Sequence, residues 1–277
     1  MTGLDLREPF DRLWRDADPF AAAFALEGEE FRHVKNRRTF RIEADGRGFF
    51  VKLHRSVGLR ETLKNLVQGK LPVTGAADEY RALLKLDELG VPALEVKAFG
   101  QRGFAAWRES FLITSELTDV ISLEDLAATG IAPDLKRRLI RAVADTAGAM
   151  HRAGINHRDC YLCHFLLKKS TVADVRPELH IIDLHRAQLR KNVPYRYLVK
   201  DVAGLYFSAL DVPLTRRDVW RFIARYSGRP VKTELAERKN FWRDVYRAAL
   251  RLYRREFDRL PANDPLAEIF QKGEKHE

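Results

Sequence analysis

The hydrophobic residues change their spacing part-way along this chain, and that change limits its fold more than any other feature. Between residues 39 and 53 the period is two: Phe40, Ile42 and Ala44 alternate with Thr39, Arg41 and Glu43, and Phe49, Val51 and Leu53 alternate back. Successive side chains of a strand leave opposite faces, so the pattern is that of two half-buried strands. Asp45-Gly46 between them suits a type I′ turn, which needs positive φ at both central positions. Lys52 falls on the face opposite Phe49, Val51 and Leu53. From residue 135 the period is four, with Leu135, Leu139, Val143 and Ala147 in register, Pro133 near the start and Gly154 just past the end, which is a helix pattern. Further helices are expected at 77–89, closed by Gly90 and Pro92, and at 240–260, with an amphipathic segment at 59–68; strands are expected at 94–99, 110–114 and 179–182. Strands gathered early and helices late, with no repeat or long linker, define an α+β chain. It reads as one domain of two lobes, a β-rich N-terminal lobe at 1–115 and a helical C-terminal lobe at 116–277.

The charge balance narrows the partners. Among 277 residues, 49 Lys and Arg face 39 Asp and Glu, a formal charge of +10, so anionic partners are favoured: nucleotides, phosphorylated sugars, nucleic acid or an acidic membrane face, among which composition does not choose. No apolar run approaches the length that crosses a bilayer; the best, 20–26, is far shorter. No basic stretch followed by an apolar one opens the sequence, so a cytoplasmic protein is expected. The two cysteines, Cys160 and Cys163, cannot form a disulfide framework.

The segment from Met150 to Asp159 carries the chemistry: a helix end, Gly154, the β-like pair Ile155-Asn156, then His157-Arg158-Asp159. This layout resembles the catalytic loop of protein-kinase-like phosphotransferases. Downstream, the strand at 179–182 runs into Asp183-Leu184-His185, where those enzymes carry a metal-binding Asp. Upstream stand a strand lysine, Lys52, and a helix glutamate, Glu79, in the order their phosphate-anchoring ion pair requires. Phosphoryl transfer needs oxygens positioned and charge neutralised. In that arrangement Lys52 holds nucleotide phosphates and Glu79 holds Lys52. Asp183 binds Mg²⁺, and Asp159, next to Arg158, receives the proton of the acceptor hydroxyl. Asp201 stands where a helix carboxylate braces the catalytic-loop backbone. Taken singly, Lys52 and Glu79 read as solvated surface residues; the ordered combination is what argues for a bilobal kinase-like fold.

More specifically, the sequence resembles the lipopolysaccharide core heptose(I) kinases. The resemblance rests on Lys64-Asn65-Leu66, Leu71-Pro72-Val73, Glu79-Tyr80-Arg81-Ala82-Leu83, Gly90-Val91-Pro92, Ser110-Phe111-Leu112-Ile113-Thr114 with Glu116-Leu117, the run from His157 to Phe165, and Ile182-Asp183-Leu184-His185-Arg186. It implies ATP- and Mg²⁺-dependent phosphorylation of the 4-hydroxyl of the first heptose on a lipid-anchored core, at the cytoplasmic face of the inner membrane of a Gram-negative host. It implies Asp159 as base, Asp183 and His164 on the metal side, Lys52 and Glu79 as the anchor, and Glu116 with Leu117 as the hinge whose backbone reads adenine. Four departures from protein kinases stand out. His164 replaces a metal-binding Asn, Tyr161 replaces the catalytic-loop Lys, His185 replaces the Gly that ends the metal motif, and the phosphate-covering segment is Val34-Lys35-Asn36-Arg37-Arg38-Thr39 rather than Gly-rich. Lys35, Arg37 and Arg38 are therefore candidate phosphate contacts.

Rival readings share the same residues. Cys160-Tyr161-Leu162-Cys163-His164 spells a haem-attachment signature, and His157, Cys160, Cys163 and His164 could form a zinc knuckle; two small cysteines buried beneath the loop is the plainer alternative. A kinase for another small or sugar acceptor and a nucleotide-binding pseudokinase also stay open. In the expected helix at 240–260, Arg243, Arg247, Arg251 and Arg255 recur every four residues. The stripe suits anionic lipid, an anionic acceptor or an acidic protein partner, or it is a solvated face; no nucleic-acid partner is expected.

Overall fold

The computed structural model describes residues 3–34, 36–55, 76–103 and 107–270. The amphipathic segment expected at 59–68, with Arg60, Lys64 and Lys70, lies outside the described residues, as does Lys35. The chain divides into two compact units. The first comprises residues 1–88, 93–117 and 184–186, and the second residues 89–92, 118–183 and 187–277.

The first unit is built on a six-stranded, wholly antiparallel sheet. Its strands in chain order are β1 (Gly3–Leu6), β2 (Glu29–Val34), β3 (Arg37–Ala44), β4 (Arg47–His54), β5 (Val96–Arg102) and β6 (Glu109–Ser115), arranged β1-β5-β6-β4-β3-β2. The hairpin forms as the alternation requires: Phe40 pairs with Val51 and Ile42 with Phe49, and Asp45 and Gly46 turn the chain at φ of 52° and 70°. One sheet face buries Phe40, Ile42, Phe49, Val51, Leu53, Phe111 and Ile113 beneath the short helices α1 (Phe10–Leu13) and α2 (Pro19–Ala25), with Phe20 meeting Phe111 edge-on at 5.2 Å. Asp18 caps α2, its carboxylate accepting from the Phe20 and Ala21 amides, with Pro19 opening the helix. Helix α3 (Ala77–Glu88) is the main helix of this unit. β5 starts two residues later than the expected strand and runs three further. It continues through Gly100 because the absent Cβ leaves room for the Phe111 ring, which would otherwise sit 2.3 Å away.

The second unit is mostly helical. It holds β7 (Val120–Ser122), α4 (Leu123–Ala128), α5 (Pro133–Arg152), β8 (Ile155–Asn156), β9 (Phe165–Lys168), β10 (Leu179–Ile181), β11 (Gln188–Leu189), α6 (Tyr195–Ser208), α7 (Arg216–Ser227), α8 (Val231–Glu237), α9 (Lys239–Phe257) and α10 (Ala267–Phe270). The strands form a three-stranded sheet, β10-β9-β7, and the pair β11-β8. Gly154, at φ 81°, ends α5, and a Cβ there would lie 1.8 Å from the Arg190 carbonyl oxygen. This close approach is what lets β11 pair with β8 directly before His157. The expected helix at 240–260 is α9, closed at Asp258 in the left-handed conformation. No helix among the described residues is long and apolar enough to cross a membrane.

Candidate active site

In the first unit, Lys52 sits on the central strand β4 and reaches Glu79 of α3, Nζ to Oε1 at 2.5 Å. Only 3% of the Glu79 side chain and 18% of the Lys52 side chain is exposed, so this is a buried ion pair and not two solvated surface groups. His54, two residues on, is buried; burial first, then the charges of Arg37, Lys52 and His185, push its pKa down to about 3 and keep the imidazole neutral. Arg37 and Arg38 lie in β3, paired across the ladder with His54 and Leu53, so they belong to a strand and not to a free loop. Arg38 also stacks over Phe40 at 5.0 Å and approaches Glu30 at 3.5 Å. Glu116 and Leu117 are the last residues of this unit before the chain passes to the second. The Glu116 amide donates to the Gly48 carbonyl, and its carboxylate accepts from the Arg41 guanidinium at 2.9 Å, a fork that the spacing gave no hint of.

In the second unit, the His157-Arg158-Asp159 loop is held from α6. Asp201, fully buried, accepts from the His157 amide at 2.6 Å and the Arg158 amide at 2.8 Å, and lies 3.3 Å from His151 Nε2. Charge-assisted bonds of this kind fix a backbone firmly, here with Arg158 at φ 75°. Gly204, one turn along, lets α6 approach so closely that a Cβ would lie 2.6 Å from the Cys160 carbonyl oxygen, and Ser208 accepts from the Leu162 amide. Lys200 on the same helix brings Nζ to 3.6 Å from Asp159 Oδ1. The sequence reading missed Lys200. The available signal was Tyr161, which leaves the catalytic-loop Lys position without a cation, together with a lysine adjoining the bracing Asp201.

Asp183 is positioned by the same loop. The buried His157 ring donates from Nε2 to the Ile182 carbonyl at 2.9 Å, and the Ile182 amide donates to the His164 carbonyl. Burial pushes the His157 pKa down, consistent with a neutral ring. His164 donates from Nδ1 to the Asp159 carbonyl at 2.7 Å, and its Nε2 lies 3.5 Å from Asp183 Oδ2. That is the tautomer a metal-ligating histidine takes when a backbone carbonyl orients it. The Asp183 carboxylate suits Mg²⁺, which keeps several waters and binds through one or two carboxylates together with substrate phosphates; imidazole is a poorer ligand for it, so His164 fits better through a bridging water. Zinc would require thiolates, but burial raises the Cys160 pKa far up and that of Cys163 to about 11. Cys160 is buried as the plainer alternative expects; Cys163 is only half-buried.

Residues 21–226 match the Lipopolysaccharide kinase (Kdo/WaaP) family. Lipopolysaccharide core heptose(I) kinase WaaP of Pseudomonas aeruginosa is 48% identical over 261 residues, covering 91% of this chain and 97% of that protein. The protein of the same name from Escherichia coli K12 is 44% identical over 243 residues, 86% of this chain and 92% of the relative. The chain belongs to the lipopolysaccharide kinase family. A solved structure described as WaaP in complex with acyl carrier protein superposes with a TM-score of 0.78 at 43% identity, over 91% of this chain and 99% of that one.

Membership in the lipopolysaccharide kinase family makes the chain a phosphotransferase acting on a hydroxyl group, and a kinase family implies ATP as donor. It also accounts for the α+β fold, with a sheet-based first unit and a mostly helical second. In this family member the arginine-bearing α9 buries Trp242, Val245, Tyr246, Ala249 and Tyr253, and Phe257 stacks on Phe207 of α6 at 6.1 Å. Arg247, Arg251 and Arg255 are exposed, whereas Arg243 is half-buried with its Nε out of solvent.

Proposed function

We propose that this protein phosphorylates the 4-hydroxyl of the first heptose of the lipopolysaccharide inner core, with ATP as donor and Mg²⁺ as cofactor. The observation that carries the reading is the loop braced by Asp201. It holds Asp159 beside Lys200 and turns His164 toward Asp183, so base and metal-side donors are set by one rigid segment. Asp159 orients the acceptor hydroxyl and takes its proton, Arg158 adds positive charge beside it, and Lys200 holds the carboxylate in place. Asp183 and His164 hold the metal, His164 directly or through water; the bound ion supplies charge neutralisation for the transferring phosphoryl group. Lys52, fixed by Glu79, anchors nucleotide phosphates, with Lys35, Arg37 and Arg38 as further cations. Glu116 and Leu117 read adenine; the Glu116 amide is already donated to Gly48, so Glu116 offers its carbonyl.

The protein works as a peripheral enzyme at the cytoplasmic face of the inner membrane. The exposed arginines of α9 face an anionic surface, either lipid headgroups or an acidic partner of the acyl-carrier-protein kind. The test is transfer of label from ATP to purified, non-phosphorylated core oligosaccharide, with mass spectrometry locating the phosphate. Mg²⁺-dependent product at position 4 with wild type and none with Asp159→Ala is expected; product elsewhere, or equal signal from the variant, rejects the reading.

A further inference from the structure

One face of α6 serves the catalytic loop along its whole length. Ser208, Gly204, Asp201 and Lys200 all meet the segment from His157 to Leu162, at the three- and four-residue steps of a helix. Tyr197 continues that stripe one turn earlier. Its ring lies between two guanidinium groups, Arg190 at 4.8 Å and Arg196 at 4.7 Å from the ring centroid, and Arg196 donates to its hydroxyl at 3.0 Å. Arg190 in turn donates to Asn156 Oδ1 at 2.9 Å, in the strand that runs into His157. The contacts close a ring: Tyr197, Arg190, Asn156, the loop to Asp159, Lys200, and one turn of α6 back to Tyr197.

Cations dominate this ring. Neither Arg190 nor Arg196 makes an ion pair among the described residues, and Arg158 Nε is buried without a hydrogen-bond partner. Burial works to raise the Tyr197 pKa, but the hydrogen bond from Arg196 and the charges of Arg196, Arg190 and Arg158 outweigh it and the net direction is down. Planar guanidinium forks match carboxylate and phosphate oxygens, and the Tyr197 ring beneath them holds both guanidinium groups in place. Joined to the catalytic loop through Asn156 and to Lys200 through one turn of α6, the cluster offers cations to an anionic group carried next to the acceptor sugar.

We propose that Tyr197, Arg190 and Arg196 form the acceptor subsite of this enzyme and recognise an anionic saccharide, through carboxylate or phosphate groups on residues next to the sugar that is phosphorylated. This deepens the proposed function and rests on it. Arg196 and Tyr197 are the residues to vary, because Arg190 also ties the loop together.

The experiment measures transfer from ATP to purified core oligosaccharide that lacks phosphate only on the acceptor sugar, in three forms: untreated, with carboxylates methyl-esterified, and after phosphatase treatment. Nucleotide-free binding of the untreated form is titrated alongside. Arg196→Ala and Tyr197→Ala should each raise the acceptor KM and weaken binding about tenfold or more, the scale of one lost charge-assisted contact, with the KM for ATP unchanged. Arg196→Lys should recover part of the loss. Esterification or dephosphorylation, whichever removes the recognised anion, should bring wild type to the variant's acceptor KM and leave the variant where it was. If wild type transfers phosphate and both variants keep its acceptor KM, or if neither chemical treatment affects wild type, the subsite is refuted while the kinase reading stands. If wild type transfers nothing to any form, both fall.

Discussion

At the scale of single residues, the second unit places an ammonium 3.6 Å from the carboxylate of the proposed base, on a helix rather than in the loop itself. With Tyr161 occupying the loop position and packing its ring on Phe207 at 5.9 Å, Lys200 supplies a cation at Asp159 from α6. Lys200→Met should therefore lower kcat about 10- to 100-fold while the KM for ATP stays within a factor of two; Asp159→Asn should lower kcat by about 10²- to 10⁴-fold, the span of general-base effects. A Lys200→Met enzyme with wild-type kcat would remove Lys200 from the mechanism. The Lys52–Glu79 pair separates stability from catalysis in another way. Removing one partner of a buried pair leaves an uncompensated charge at a cost of about 3–5 kcal/mol, whereas replacing both by apolar groups is often neutral. Urea unfolding should show Lys52→Met strongly destabilised and Lys52→Met/Glu79→Leu largely restored, yet both inactive. Activity in the double variant would mean the pair is structural only.

At the scale of elements, the loop depends on two glycines that admit a neighbouring backbone. Gly154→Ala imposes a side chain at φ 81° and a Cβ 1.8 Å from the Arg190 carbonyl, so β11 must separate from β8. Gly204→Ala gains about 1 kcal/mol of helix propensity but drives a Cβ to 2.6 Å from the Cys160 carbonyl, an overpacking cost of typically 1–3 kcal/mol. Both should lower Tm and activity together, Gly154→Ala more; full activity at unchanged Tm in either would show that the approach is not needed. These elements also mark how far the sequence could be read. The hairpin and its Asp45-Gly46 turn, α3, α5 and α9 were legible because each carries a periodic apolar face and a terminating residue. Asp201 was legible as a brace only through resemblance. The Arg41–Glu116 fork, the Lys200–Asp159 contact and the Tyr197 stack were not, because each joins residues far apart in the chain or exposed, where no local period records the partner. The strand placement of Arg37 and Arg38 was hidden for the opposite reason: a run of polar residues reads as a loop, although strand pairing on both sides holds it extended.

At the scale of the whole molecule, acid tests the fold through a residue that no catalytic argument uses. His54 is buried at the end of β4, faced by Arg37 from β3, Lys52 from its own strand and His185 from the turn at Leu184–Arg186, and its pKa falls to about 3. In the unfolded chain it titrates near 6.5, so between those values the unfolded state binds the extra proton. The stabilisation is complete above about pH 6.5 and is lost as pH falls toward 3, with a limiting slope of about 1.4 kcal/mol per pH unit from this one group. Carboxylates held below their ordinary range enter only later. The Glu95 pKa is lowered because the bond from Lys97 outweighs burial, and the Asp218 pKa because its bonds to Thr215 and Lys136 do the same; their contributions decay below their unfolded values near 4. The window from pH 6.5 to 4.5 thus separates the buried histidines from the carboxylates; His157, also lowered by burial, adds to the slope in both proteins, so the difference between wild type and a His54 variant isolates His54. Unfolding free energies measured across it should fall steeply for wild type and much less for His54→Gln, which carries no titrating ring. Parallel slopes for the two proteins would mean that His54 is protonated in the folded state, and that burial and its neighbours do not keep its ring neutral.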